Sequence, residues 1–348
     1  MTTDNSWEIV TDPNDDMPTE PRAIPMWSET YLWCAFDPVR NIGVYMHQGT
    51  TFFDSTVWRS TIAVSLPDGR VLIAKHYGRA AKPRSSGCEA LGATWVEPLK
   101  RWTVRLDGAC RLVTREENRT SLATDGVPGG AVIELEFTAH SDLLNHRSVH
   151  WGNLHHNQHC RVRGTLNVSG EELEFEGPGY RDHSRGPRDL SEYVGSDFCW
   201  AEFPSGKTFV AADIFFQTSA YDKKYCLVWE DGAFRDAEIV SMPSLTAAAT
   251  DPASVMISLD VGAGPVEIPG EIMGAVNFTH KLPGTELCLG TERSTISPKD
   301  MVVIDATTRY TWGDEVGFGL CEWITPITVP RPGKSPIPPL VEIPMFRW

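Results

Sequence analysis

The chain is short of most signals that announce a chemistry. No Cys-x-x-Cys pair occurs. The eight cysteines stand singly at Cys34, Cys88, Cys110, Cys160, Cys199, Cys226, Cys288 and Cys321, a pattern of small buried hydrophobes rather than a disulfide framework. No window reaches the ~18 consecutive apolar residues of a spanning helix. The N-terminus, MTTDNSWEIVTDPNDDMPTEP, has neither the basic nor the apolar region of a secretory signal, so a cytoplasmic location without membrane insertion is expected. Positive charge is in deficit, 31 Lys and Arg against 46 Asp and Glu, for a net charge of −15. This argues against nucleic acid and anionic membranes as partners. GxSxG, P-loop and HExxH motifs are missing. The Gly177-Pro178-Gly179 triplet runs into charged turn residues rather than a helix, which speaks against a dinucleotide cofactor.

Helical periodicity is also scarce. What the chain has instead is two-residue alternation, as in STIAVSLPDGRVLIAKHYG (60–78), WTVRLDGACRLV (102–113), AVIELEFTAH (131–140) and KYCLVWEDGAFRDAEIV (224–240). Hairpin turns at Pro67-Asp68-Gly69, Asp107-Gly108, Ser169-Gly170 and Glu230-Asp231-Gly232 join strand-like halves. Alternation with one buried face means antiparallel sheet, and strands at such regular spacing mean barrels or sandwiches. With 348 residues, 41% of them hydrophobic, the chain has material for two cores. An all-β fold of two consecutive domains is predicted, 26–165 and 166–325. A flexible or draped segment (1–25) precedes them, and a proline-rich extended tail (326–348) follows.

The densest charge lies in GPGYRDHSRGPRD, residues 177–189. Gly177, Gly179 and Gly186 permit positive φ or close backbone approach, and the preceding ELEFEG alternates like a strand. Asp182 sits among arginines and a histidine. Bordering an apolar cavity, such a carboxyl has its pKa raised by desolvation and lowered by arginine, a balance that suits acid–base work near neutrality. The competing reading is a lock in which Arg181 and Arg188 pair with Asp182 and Asp189.

The string G-x-G-x-R-D-H-S-x-G-x-R-D resembles the signature of a tandem-lipocalin family that includes the carotenoid 1,2-hydratase and AttH-like proteins. HHNQHCRVRGTLNVSGEELEFEGPG ahead of it, WSETYLWCAFDPVRNIGVYMHQG (27–49), SLPDGRVL (65–72), PLKRWTVRLDG (98–108) and GFGLCEW (317–323) follow in the order of that family. One departure is Arg185, where relatives carry tryptophan. The resemblance implies two lipocalin-like antiparallel β-barrels, no cofactor, and an apolar cavity within or between them for a hydrophobic small molecule. Relatives add water to isoprenoid alkenes or guide polyene cyclisation, and pericyclases occur among them. The implied catalytic residues are Asp182 as acid, His183 to orient water, and Arg181 and Arg188 to tune the acid. Tyr180, Arg185, His156, Gln158, Trp200 and Glu322 are expected to contact substrate. The alternative is a non-catalytic lipocalin-type carrier, and the chain is expected to be a monomer or homodimer.

Histidines concentrate at His140, His146, His150, His155, His156 and His159. On a strand, His155, Asn157 and His159 share one face, and His156 and Gln158 the other. His140-Ser141-Asp142, with His183, fits a facial metal triad. Polar cavity residues are the favoured reading, with no metal expected.

Overall fold

The computed structural model describes residues 12–20, 24–51, 54–80, 82–120, 126–145, 154–187, 191–243, 253–281, 286–288 and 300–326. The proline-rich tail beyond Pro326, Arg188, Asp189, His146 and His150 lie outside them. No helix among the described residues is long and apolar enough to cross a membrane.

Strands alternate because their side chains do. The first sheet contains β1 (Trp27–Asp37), β2 (Ile42–Thr50), β3 (Trp58–Ser65), β4 (Arg70–Gly78), β5 (Ser85–Gly87), β6 (Leu91–Glu97), β7 (Arg101–Thr114), β8 (Val127–Ala139), β9 (Leu144–Asn145), β10 (Leu154–Val168) and β11 (Glu171–Pro187). Its order is β4-β3-β2-β1-β11-β10-β8-β7-β6-β5, and pairing of β4 with β7 closes it into an antiparallel barrel. The second sheet contains β12 (Tyr193–Glu202), β13 (Thr208–Phe216), β14 (Lys223–Glu230), β15 (Ala233–Asp236), β16 (Glu238–Ser241), β17 (Ser254–Asp260), β18 (Pro265–Lys281), β19 (Glu286–Cys288), β20 (Met301–Trp312) and β21 (Glu315–Pro326). It runs β15-β14-β13-β12-β21-β20-β18-β17-β16. These are the two consecutive lipocalin-like barrels that the sequence predicts.

The junction differs from the expectation. The 166–187 segment pairs with β1 and β10 and completes the first barrel, so the chain passes to the second barrel across 188–192 rather than after residue 165. The Ser169-Gly170 turn folds β11 straight back onto β10 (Leu166↔Leu173), and a hairpin keeps its strands in one sheet. Gly177 serves close approach, since a Cβ there would lie 1.9 Å from the Phe36 carbonyl oxygen. Gly186 has φ +138°, a conformation glycine takes at little cost.

Each barrel has its own core. The first is packed with aromatics: Trp33 meets Phe137 at 5.3 Å, Trp102 at 6.0 Å and Trp95 at 6.1 Å between ring centroids. The second is filled by residues such as Phe209, Ile257, Ile304, Tyr310 and Trp323. A third apolar layer joins the barrels back to back, with Cys34, Tyr45 and Tyr180 from the first against Trp200, Phe278 and Leu320 from the second.

Candidate active site between the barrels

The period of two decides what GPGYRDHSRGPRD does. On β11, Arg181, His183 and Arg185 point to the interior and mouth of the first barrel. Tyr180, Asp182 and Ser184 point outward, toward the second barrel.

The inward set fastens the N-terminal segment. Arg181 is fully buried and donates through Nη2 to Asp16 Oδ1, with its guanidinium 4.2 Å from the Trp102 ring centroid. Asp16 Oδ2 also accepts from Leu99 N at 2.6 Å and Trp102 Nε1 at 2.9 Å. Arg185 reaches Asp15 Oδ1 at 2.8 Å. His183 Nε2 donates to Glu29 Oε1 (3.1 Å), so in its neutral form its Nδ1 accepts from His156 Nε2 (2.8 Å). Thr19 N and Oγ1 reach Glu29 Oε2 at 3.0 and 2.7 Å. Burial raises the Glu29 pKa, but His183 and Thr19 outweigh it and hold this carboxyl below its ordinary value. Burial lowers His183, and Glu29 only partly compensates. Residues 12–20, expected to be flexible or draped, therefore hold a fully buried aspartate.

Asp16, His156 and His183 place ligand-type atoms within 4.8 Å of one another. The Arg181 guanidinium already occupies Asp16, and the two histidines bond each other, so this cluster is a hydrogen-bond network that would set a metal ion beside a fixed cation. The His140, Asp142 and His183 triad, the disfavoured reading of the sequence, does not assemble: the only such ligand group among the described residues is Asp16, His156 and His183, His140 lies 4.0 Å from Glu202, and Asp142 is exposed.

The outward set opens onto a cavity of about 160 Å³ between the barrels. Asp182 Oδ2 accepts from His155 Nε2 and Asn157 Nδ2; Asn157 is its direct partner across β10 and β11. Across the cavity stands Glu322 on β21, directly paired with Asp305 on β20. Apart from Glu322, neither oxygen of Asp305 meets a donor among the described residues. Two carboxyls in contact in a dry place cannot both ionise. Burial pushes Glu322 up to about 7; its bond to Asp305 lowers it, and the Asp182 charge raises it further. Burial and the Glu322 charge drive Asp305 upward as well. The pair therefore carries a proton at neutral pH. Tyr45, Tyr180, Tyr193, Phe198 and Tyr225 supply aromatic wall, and the Tyr180 hydroxyl, fully buried, has no hydrogen-bond partner among the described residues.

The family described as a domain of unknown function (DUF7064) matches residues 12–327. The chain belongs to this family. Among the curated proteins, none matches it. Solved structures share the tandem-barrel fold. An AttH protein from Nitrosomonas europaea is 13% identical with a TM-score of 0.61, over 91% of this chain and 96% of that one. CghA is 10% identical with a TM-score of 0.53, over 91% and 96%, with the same figures when it holds Sch210972. Kievitone hydratase from Nectria haematococca is 9% identical with a TM-score of 0.53, over 92% and 94%. At such identities the likeness is one of architecture, and it agrees with the tandem-lipocalin resemblance of the motif.

The expected site residues divide accordingly. Asp182, Tyr180 and Glu322 line the cavity. Arg181, His183, Arg185, His156 and Gln158 do not, because they occupy the opposite faces of β11 and β10; Gln158 instead bonds Ser141 O (2.9 Å) and Leu99 O (3.2 Å). Trp200 stacks behind Tyr180 at 5.4 Å, one layer removed. His155 and Asn157, placed on one strand face by the sequence, and Asp305 were not among the expected site residues. The first two share a strand face with Asp182 by register, so fixing the direction of Asp182 would have found them. Asp305 carried no signal, since its partner Glu322 is 17 residues away.

Proposed function

We propose that the inter-barrel cavity is the active site of a lyase or isomerase that works without a cofactor, by proton transfer to a hydrophobic small molecule, in hydration or ring closure. The observation that carries this is the pairing of two unlike carboxyl sites across one apolar cavity. Glu322 and Asp305 share a proton at neutral pH, whereas Asp182 is arranged as an acceptor by His155 and Asn157. Environments that push carboxyls apart assign the acid and the base.

In hydration, the Glu322 proton bonds to one alkene carbon, using the π pair and leaving a cation on the more substituted carbon. A water oxygen forms the new C–O bond, and its surplus proton passes to Asp182. That proton returns to the Glu322–Asp305 pair to reset the site. In ring closure, the same cation is captured by a second double bond and a proton is then lost to Asp182. The acid role thus falls to Glu322 rather than to Asp182, the acid expected from sequence. Aromatic rings stabilise the cation through their negative faces. The name hydratase carried by one structural relative agrees with this chemistry. The volume of about 160 Å³ falls below the ~300–1,000 Å³ of drug-sized pockets, which fits a compact substrate or the reacting end of a longer one.

Incubation in D₂O with a panel of terpenoid alkenes, read by mass spectrometry, tests the proposal. Deuterium uptake is expected in at least one alkene, falling about 10²-fold or more in Glu322→Gln and in Asp182→Asn. Uptake unchanged in both variants would overturn it.

A further inference from the structure

The charge of the cavity is one-sided. Among the described residues, its lining holds Asp182 and Glu322 but no arginine or lysine. Arg181 and Arg185, adjacent in sequence, face the other way, and Lys223, two residues before Tyr225, is not in the lining. Asp305 adds a third carboxyl behind Glu322. Facing this acid group are the rings of Tyr45, Tyr180, Tyr193, Phe198 and Tyr225. Carboxylates beside aromatic faces in a partly dry space attract cations by charge and by ring quadrupole together. An anion there would meet carboxylates with no arginine or lysine in the lining to compensate them, only the histidines His47, His155 and His280.

We propose that this cavity is a cation-binding site, which takes a compact protonated amine on a hydrophobic body and rejects the matching carboxylate. The proposal rests on the active-site reading: the ammonium would stand where the carbocation forms, so such amines are inhibitors and anionic alkenes are not substrates. It also predicts proton linkage. The proton shared by Glu322 and Asp305 leaves when an ammonium arrives, because the incoming charge supplies the compensation. The other titratable groups on the elements around Glu322 are His47, His155 and His280, the tyrosines named above, Cys34 and Asp182. The buried tyrosines Tyr45, Tyr180 and Tyr225 and the Cys34 thiol are all pushed upward by burial and remain neutral in the range of the measurement.

Isothermal titration of the full chain with cyclohexylmethylamine, cyclohexylmethanol and cyclohexanecarboxylate tests this. The amine is expected to bind at least about tenfold more tightly than the carboxylate, with the alcohol between them. The amine's advantage should grow from pH 6 to pH 8 and shrink to less than about threefold in Glu322→Gln/Asp182→Asn. If that variant does not fold, the pH series on the wild type decides alone. Equal binding of amine and carboxylate, a preference for the carboxylate, no binding of the amine, or an amine affinity indifferent to pH would each overturn the proposal. Its failure is separable from that of the active-site reading: lost selectivity with deuterium uptake still dependent on Glu322 removes only the cation site. Retained selectivity with uptake indifferent to both carboxyls removes only the catalysis.

Discussion

Replacing Asp16 with alanine tests whether the inward half of the charged motif holds the first barrel together. Asp16 is fully buried and serves three donors: the Arg181 guanidinium, Leu99 N and Trp102 Nε1. Removing one partner of a buried ion pair strands the other charge and costs about 3–5 kcal/mol, and each orphaned buried donor adds about 1 kcal/mol or more. Water entering the space left by the short side chain would recover part of this. The expected loss is about 4 kcal/mol, a third or more of the stability of an ordinary domain. For a barrel of this size that amounts to a drop in melting temperature of about 10 °C, read by calorimetry at neutral pH. Asp16→Asn, which keeps an acceptor for Leu99 or Trp102, should lose roughly half as much. Asp16→Ala/Arg181→Met should recover part of the Asp16→Ala loss, because it removes the stranded charge. A loss below about 1 kcal/mol in Asp16→Ala, or a double variant less stable than the single one, would refute the reasoning.

Two further predictions concern the frame around the cavity. His159 is buried between the rings of Tyr180 and Trp200, and neither ring nitrogen finds a partner among the described residues. Burial, with a smaller contribution from His140, lowers its pKa to about 3. The unfolded chain therefore binds this proton first, so stability is intact above the unfolded value of about 6.5 and declines by about 1.4 kcal/mol per pH unit as pH falls toward 3. Urea titrations at pH 7, 5 and 4 should show this slope, and His159→Phe should flatten it; a slope unchanged in that variant contradicts the assignment. Gly177→Ala should destabilise by about 3 kcal/mol or more, because its Cβ would fall 1.9 Å from the Phe36 carbonyl oxygen. A melting temperature equal to wild type would show that β1 and β11 can part without cost.

Much of the fold was legible because alternation and hairpin turns are local. STIAVSLPDGRVLIAKHYG became β3 and β4, whereas WTVRLDGACRLV became part of one unbroken strand, β7, without the hairpin expected at Asp107-Gly108. The barrel boundary was missed for a non-local reason. β11 closes the first barrel by pairing with β1, some 150 residues earlier, and nothing within 166–187 announces that partner. RDHS lies on a strand that borders the candidate cavity, but the letters hide its partition. The letters place Arg181, Asp182 and His183 side by side, whereas the pleat sends them to opposite faces, where they answer to different barrels. His155 and Asn157, not the expected His156 and Gln158, line the cavity for the same reason: a strand's period gives its faces but not which one meets the cavity. Glu322, expected from its place in a late strand to point inward, lines the cavity, but its elevated proton affinity depends on burial and on Asp182, which only the tertiary fold brings to it.

The most direct test of the central claim is a pH titration of the carboxyl stretching band by difference infrared spectroscopy, wild type against Glu322→Gln. The wild type is expected to show a protonated-carboxyl component at pH 6 that titrates near pH 7 and is lost in the variant, over the bands of Asp305 and of Glu202, which burial also raises, the latter to about 7. A wild type with every carboxyl ionised by pH 6, or a band that survives in Glu322→Gln unchanged, would contradict the claim.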